Sequence, residues 1–388
     1  MFLIRQARTT DLDDLQRLAR QVHFINLPPD RAIIEAKIRR SADSFARLAG
    51  NRAGTGAQGG ALPRGSGIAA ITSRSDLFMF VLEDTESGSV IGTSQVIARM
   101  GGKGEPRVFL QLSERSQWSD SLKLGWTHTH AELGQDESGP TEVGGLILNP
   151  FFRRHKARLG RLLSLVRFHL IGLHPRRFAP RVVAEMLGPI TPEGYNPFWE
   201  RCTRHFIPRS FDEANRLSQQ TREFIIALMP RHGIDLTILD PEAALRTGDV
   251  AEDTRPARRI LEKLGFRYHH RIDPFDGGPH LEARTRDIAP VRATRAGKRL
   301  AEDKGGRAAR ARRAEPDHLV STLDEDGNFR AVQAVARLEG SGMIALRRDA
   351  LAVLSPAPGK STLCVGLTPL AAAEGDAPVA PTPPRTAH

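Results

Sequence analysis

Residues 141–170 read TEVGGLILNPFFRRHKARLGRLLSLVRFHL. Thr141–Leu148 is a short aliphatic and β-branched run, which predicts a strand. Asn149-Pro150 ends it, because the residue before a proline is driven out of regular pairing. From Arg158 onward Leu159, Leu162, Leu163, Val166 and Leu170 recur at helical spacing and predict one buried face, with Arg161, Ser164 and Arg167 on another. A helix start leaves N–H groups free and carries partial positive charge. Arg153, Arg154, His155, Lys156, Arg158 and Arg161 add cationic donors, so the junction suits a pyrophosphate. A positively charged helix start exposed on the surface accounts for the same residues. Gly144-Gly145 inside the strand marks either a bulge or a close approach of backbone.

Outward from this unit, residues 2–8 alternate as a strand, and Leu12, Leu15, Leu18 and Val22 form the stripe of a helix that opens at Asp11. Pro28-Pro29-Asp30 starts a second helix with Ile34, Ile38 and Phe45 on one face. Seven glycines between Gly50 and Gly67 predict a mobile loop. Leu77–Leu82, Val90–Ala98, Val108–Leu112 and Val182–Met186 read as strands, as do Phe266–Asp273 and Pro279–Arg284. Helices are expected over Pro197–His205, Ser210–Met229 and Pro256–Leu264. Phe329–Leu338 and Met343–Leu346 look like strands of a small β domain, with Asp326-Gly327-Asn328 as a hairpin turn. The organisation expected is 1–208, 209–287 packed on it, a basic linker 288–317, a β domain 318–370 and a disordered tail 371–388.

Composition narrows the class. No apolar run in the 388 residues approaches the ~18 of a membrane span, and the charged start is not a secretory signal. Cys202 and Cys364 form no CxxC pair, which suits a reducing, cytoplasmic setting. The net charge is 56 − 45 = +11, and Pro290–Arg313 alone holds nine Lys/Arg against two acids. That stretch has little to bury and reads as a solvated linker, preferred to a nucleic-acid arm. No metal site is expected: His128, His130 and Glu132 lack further ligands and read as a polar loop. Gly359-Lys-Ser361 lacks the leading glycine of a phosphate loop, and Asp324-Glu-Asp-Gly327 is a turn.

The strand–turn–helix order, together with Pro256-Ala-Arg-Arg-Ile-Leu-Glu-Lys-Leu-Gly-Phe266-Arg, resembles the GNAT superfamily of acyl-CoA-dependent N-acyltransferases. A degenerate second copy stands at Asn196–Phe206. Val81-Leu-Glu-Asp84, Glu142 through Pro150, Gly160 through Phe168, Val182 through Met186, Gly194-Tyr-Asn-Pro-Phe-Trp199, Phe224 through Pro230 and Asp273 through Glu282 resemble the arginine/ornithine N-succinyltransferase family more closely. The resemblance implies an α+β, GNAT-like acyltransferase fold, extended or tandem, followed by a small C-terminal β-barrel domain. It implies transfer of succinyl from succinyl-CoA, a cosubstrate and not a bound cofactor, to the α-amine of arginine or ornithine in arginine catabolism. A homo- or heterodimer is also implied. Two rival readings remain: a relative that acylates another amine, and a non-catalytic binder.

Such chemistry needs a base for the ammonium, N–H donors for the oxyanion and a cation for the succinyl carboxylate. Leu146 matches the position at which the family contacts succinyl-CoA. With Ile147 and Leu148 of the strand, and Arg154, Arg158, Leu159, Gly160 and Arg161 of the turn and helix start, it makes up the expected CoA site. Glu142 and Glu185, carboxylates in or beside apolar strands, are the candidate catalytic groups; a structural ion pair is the alternative for Glu185. The chain departs from the family at Ala251, where the family has a proton-donor His, leaving Glu252, Asp253, His269 or His270 as replacements. Aligned on Gly160, the superfamily loop Gln/Arg-x-x-Gly-x-Gly/Ala meets His155 first and Arg158 where its first glycine belongs. Trp199 stands where many GNAT enzymes have a tyrosine acid, and an indole does not release its proton.

Overall fold

The structure is a computed structural model that describes residues 1–388 except 22–26, 51–74, 192, 219–220, 240, 304–315, 357 and 374–388. Most of the expected loop at Gly50–Gly67 and nearly all of the tail lie outside the described residues.

Seventeen strands are described. The first ten are β1 (Phe2–Gln6), β2 (Leu77–Asp84), β3 (Val90–Ile97), β4 (Arg107–Ser119), β5 (Leu124–Asp136), β6 (Thr141–Leu148), β7 (Arg181–Glu185), β8 (Ile234–Asp235), β9 (Arg267–Ile272) and β10 (Pro279–Arg284). The rest are β11 (Arg295–Gly297), β12 (Arg299–Glu302), β13 (His318–Asp324), β14 (Phe329–Ala334), β15 (Ala336–Leu338), β16 (Met343–Leu346) and β17 (Thr362–Pro369). Fourteen of them form one mixed sheet in the order β11-β17-β13-β14-β1-β2-β3-β6-β7-β10-β9-β4-β5-β8. The first three helices are α1 (Leu12–Ala19), α2 (Arg31–Leu48) and α3 (Leu159–Leu173), the last two being the long ones. Then follow α4 (Pro197–Arg201), α5 (Phe211–Ser218), α6 (Glu223–Leu228), α7 (Pro241–Arg246), α8 (Arg255–Lys263), α9 (Ala289–Ala293) and α10 (Arg348–Leu354).

β2 shows why the centre of the sheet is apolar on both sides. Phe78, Phe80 and Leu82 join the core around α3, while Met79 and Val81 join a second core with Leu12, Leu15, Leu18, Ile34 and Ile38 of α1 and α2. A strand covered on both faces loses the polar alternation of a half-exposed one. α2 begins where expected, its first N–H groups capped by the Asp30 carboxylate. Helices α4–α7 cover the β9-β4-β5 region. There Trp199 is fully buried and stacks on Phe275 at 5.3 Å, so it belongs to a core.

Several expectations need correction. Among the described residues the C-terminal strands close no barrel. β14 pairs with β1, Ile4 opposite Ala331, and thereby joins β13 and β17 to the main sheet, while β12, β16 and β15 form a separate three-stranded sheet. The described first part of the expected basic linker is structured, with Ala289–Ala293 helical. Arg295–Gly297 pairs with β17 and Arg299–Glu302 runs parallel to β16, because short polar edge strands can form with few buried side chains. His128, His130 and Glu132 stand in a strand, not a loop. β4 and β5 pair in register from Arg107↔Asp136 to Ser119↔Leu124, and beyond Ser113 the ribbon is exposed on both faces, with Trp118 and Trp126 outward. α3 is buried nearly all round, Ser164 and Arg167 included. The C-terminal strands cover its far side: the His169 ring meets Thr368 Oγ1 and Ser321 Oγ, each at 2.6 Å.

Candidate active site

β6 and β7 are parallel neighbours for two residue pairs only, Thr141↔Val182 and Glu142↔Val183. Past that point β7 continues against β10, with His280 opposite Glu185, and β6 continues against β3. The two strands fork just beyond Glu142, and the β6 backbone on the fork side has no strand partner among the described residues. At the same point β6 carries a bulge. Its register against β3 shifts between Thr93 and Gln95, and Gly145 has φ +59°. A Cβ at Gly145 would lie 2.8 Å from Gln95 Cγ, so both backbone and neighbour demand glycine.

The bulge resets the alternation of the strand. Val143, Leu146 and Leu148 face α3, whereas Ile147 packs with Val81 and Val90 on the α1–α2 side. Of the expected CoA-contacting residues, Leu146 and Leu148 therefore stay half-buried on the fork's α3 face. The Ile147 and Leu159 side chains are core, leaving only their backbone for a ligand.

The turn from Asn149 to Arg158 is held by its own residues. The Asn149 side chain accepts from the Phe151 N–H at 3.1 Å, and His155 Nδ1 accepts from the Ala157 N–H at 3.1 Å. His155 also packs edge-on against Phe2 at 5.0 Å. Arg154 and Arg158 have φ +63° and +50°. At Arg158 the chain thus takes the left-handed conformation, at a cost of about 1 kcal/mol. Among the described residues no side chain caps the α3 N-terminus, and the leading N–H groups at Leu159 and Gly160 point out of the helix end. Arg153, Arg154, Lys156 and Arg158 stand exposed around it, whereas Arg161 turns its guanidinium to the Leu370 carbonyl.

On the opposite face lies a network of buried charge. Arg107 is 1% exposed and donates to Glu185 Oε1 from Nε at 3.1 Å and Nη2 at 2.9 Å. Its Nη1 lies 3.5 Å from Asp136, and its Nη2 3.4 Å from His280 Nδ1. Burial opposes charge on Glu185, but Arg107, His280 and Arg222 outweigh it and hold the carboxyl down at about 2. Glu142 behaves in the opposite way. Burial and the nearby Glu185 push its carboxyl up to about 7, against the pull of Arg107, Arg222 and Lys37. Among the described residues Glu142 Oε2 is buried without a hydrogen-bond partner, as is His280 Nε2. Glu185 is thus a fixed anion in an ion pair, and Glu142 is the carboxylate able to exchange a proton near neutrality.

Glu185, Asp273 and His280 place potential metal-ligating atoms within 4.8 Å of one another. The Arg107 guanidinium already lies against both Glu185 and His280, so the set works as a charge network and is poorly suited to a cation. Ala251 borders the same region, its N–H donating to the Leu187 carbonyl at 2.9 Å just past β7. Asp253 is exposed and pairs with Arg153 at 3.1 Å; Glu252, His269 and His270 are also exposed. The imidazole that enters the carboxylate network is His280, which, like Arg107, sequence reading did not single out. Its one signal was its place inside the Asp273–Glu282 segment.

The sequence model of the family described as arginine N-succinyltransferase beta subunit matches residues 66–290. The arginine N-succinyltransferase of Enterobacter sp. (strain 638) is 33% identical over 298 residues, covering 76% of this chain and 78% of that protein. That of Salmonella paratyphi B is 34% identical over the same length and shares. The solved structure of arginine/ornithine succinyltransferase subunit AI from Pseudomonas aeruginosa superposes with a TM-score of 0.72 at 26% identity, covering 95% of this chain and 99% of that one. Matched by the family's model over more than half of its length and a third identical to these relatives over most of it, the chain belongs to the arginine N-succinyltransferase family.

Proposed function

We propose that the protein is a GNAT-like acyltransferase that moves the succinyl group of succinyl-CoA to the α-amine of arginine or ornithine. The observation that carries this reading is the fork between β6 and β7, which runs directly into a cationic turn and an uncapped helix start. A pyrophosphate seated on the N–H groups of Leu159 and Gly160, with Arg154 and Arg158 beside it, would lay the thioester along Leu146–Leu148. The backbone N–H groups left free by the fork are then available to the carbonyl oxygen as it becomes an oxyanion.

The amine approaches from the carboxylate face. Its ammonium gives a proton to Glu142, whose raised pKa suits a base near neutral pH. The freed lone pair attacks the thioester carbon and the C–S bond breaks. The nitrogen's surplus proton passes to the thiolate, and Glu142 returns its own to solvent. Glu185, fixed by Arg107, keeps a negative charge beside the entering cation. Two free cysteines, one buried, are consistent with a cytoplasmic protein, and no described helix is long and apolar enough to cross a membrane.

Thiol release should appear with succinyl-CoA when arginine or ornithine is added, and not with either alone. No release from any acyl-CoA with either amine would reject the activity. A second reading, acylation of another amine, is favoured by Ala251 in place of the family's His; turnover confined to an amine other than arginine or ornithine in a wider panel would select it.

A further inference from the structure

Helix α3 carries a buried guanidinium that has no counter-charge among the described residues. Arg167 is 4% exposed. Its Nε donates to the Ser164 carbonyl at 3.2 Å, its Nη2 to Ser164 Oγ at 2.8 Å, and its Nη1 to the Gly144 carbonyl at a long 3.5 Å. These acceptors are neutral, and among the described residues no carboxylate pairs with it. Other buried arginines are treated differently. Arg5 is held by Asp11 and Glu83, and Arg107 by Glu185 and Asp136. Burial is the sole cause that lowers the Arg167 pKa, to about 9, with no acid opposing it. A guanidinium withdrawn from water is normally answered by an anion.

Its position says which anion. Arg167 reaches the carbonyl of Gly144, the residue at which β6 bulges and the fork opens, from the α3 side. Leu146 and Leu148 line that face, and the cationic turn begins the same helix two turns earlier. An acyl chain lying on this face would extend toward Arg167. Ser164 takes one edge of the guanidinium, which leaves N–H groups of the planar fork for a further acceptor, the geometry that receives a carboxylate through two parallel bonds.

We propose that Arg167 receives the free carboxylate of the succinyl chain and so selects a dicarboxylic acyl group over a neutral one of equal length. The assignment rests on the CoA-thioester reading above. Arginine matches the site better than lysine, because a point charge cannot hold both oxygens at once.

The test compares succinyl-CoA with butyryl-CoA, in which a methyl group replaces the carboxylate, at saturating arginine. The wild type should favour succinyl-CoA. Arg167→Met, of similar reach and apolar, should lower kcat/KM for succinyl-CoA by about 10- to 100-fold and leave butyryl-CoA within a few-fold, which removes the preference. Arg167→Lys should lie between the two and covers the case in which the methionine variant does not fold. Parallel loss with both esters in either variant would make Arg167 structural and overturn the proposal. A wild type that prefers butyryl-CoA would overturn it as well. A wild type inert toward both esters would instead sink the transferase reading itself, and this assignment with it.

Discussion

Glu142→Gln should uncouple the protein's stability from pH across the neutral range. The native carboxyl ionises at about 7, against an ordinary value of 4.5. Between those values the folded chain keeps a proton that the unfolded chain has lost, so stability falls as pH rises from about 4.5 through 7. A difference of roughly 2.5 pH units corresponds to about 3 kcal/mol of stability lost by pH 8. Glutamine keeps the shape and has no charge to bury, so the variant should not show that loss. Urea denaturation at pH 5.5 and pH 8 would measure it. The variant's stability relative to wild type should rise by about 2 kcal/mol between the two, because the remainder of the loss already falls below pH 5.5 and groups common to both proteins cancel. In the same protein kcat/KM should fall by about 10²- to 10⁴-fold and lose its rise through neutral pH, because the base is gone. Equal pH dependence of stability in the two proteins would refute the view that Glu142 is a desolvated, unpaired acid.

Other substitutions probe the same frame. Arg107→Met strips Glu185 of its partner and should cost about 3–5 kcal/mol in chemical denaturation, since one charge of a buried network is removed and the rest remain. Gly145→Ala adds a Cβ 2.8 Å from Gln95 Cγ at φ +59°; it should lower stability by about 1–3 kcal/mol and raise KM for the acyl-CoA, since the bulge sets where the strand presents its N–H groups.

What was legible in the sequence was what local pattern encodes. The strand at Thr141–Leu148, the helix starting after Arg158, the cap at Asp30 and the turn at Asp326–Asn328 all lie where spacing and turn chemistry put them. Of the β4–β5 ribbon only Val108–Leu112 was read as strand; β5 was missed altogether, and with it the outer half of β4, because residues 113–129 are largely exposed and show no apolar alternation. The spacing places Ser164 and Arg167 off the buried apolar face, yet both are buried. Arg167 is instead buried toward the Gly144 carbonyl at the β6 bulge, while β13 and β17 cover the far side of α3, with Ser321 and Thr368 clasping His169. The candidate site was half legible. Glu142 and Glu185 stood out as acids within apolar strands, but their opposite ionisation depends on Lys37, Arg107, Arg222 and His280. Those groups meet through sheet pairing across distant parts of the chain, which no local period records.

The central claim is that the turn before α3 grips the phosphates of coenzyme A. Calorimetric titration of CoA into the wild type and Arg158→Gly tests it most directly, since glycine relieves the left-handed backbone at that position while removing the cation. One-to-one binding should weaken by about 10- to 100-fold in a variant as stable as the wild type or more so. Absence of CoA binding to the wild type, or unchanged affinity in the variant, would contradict the account.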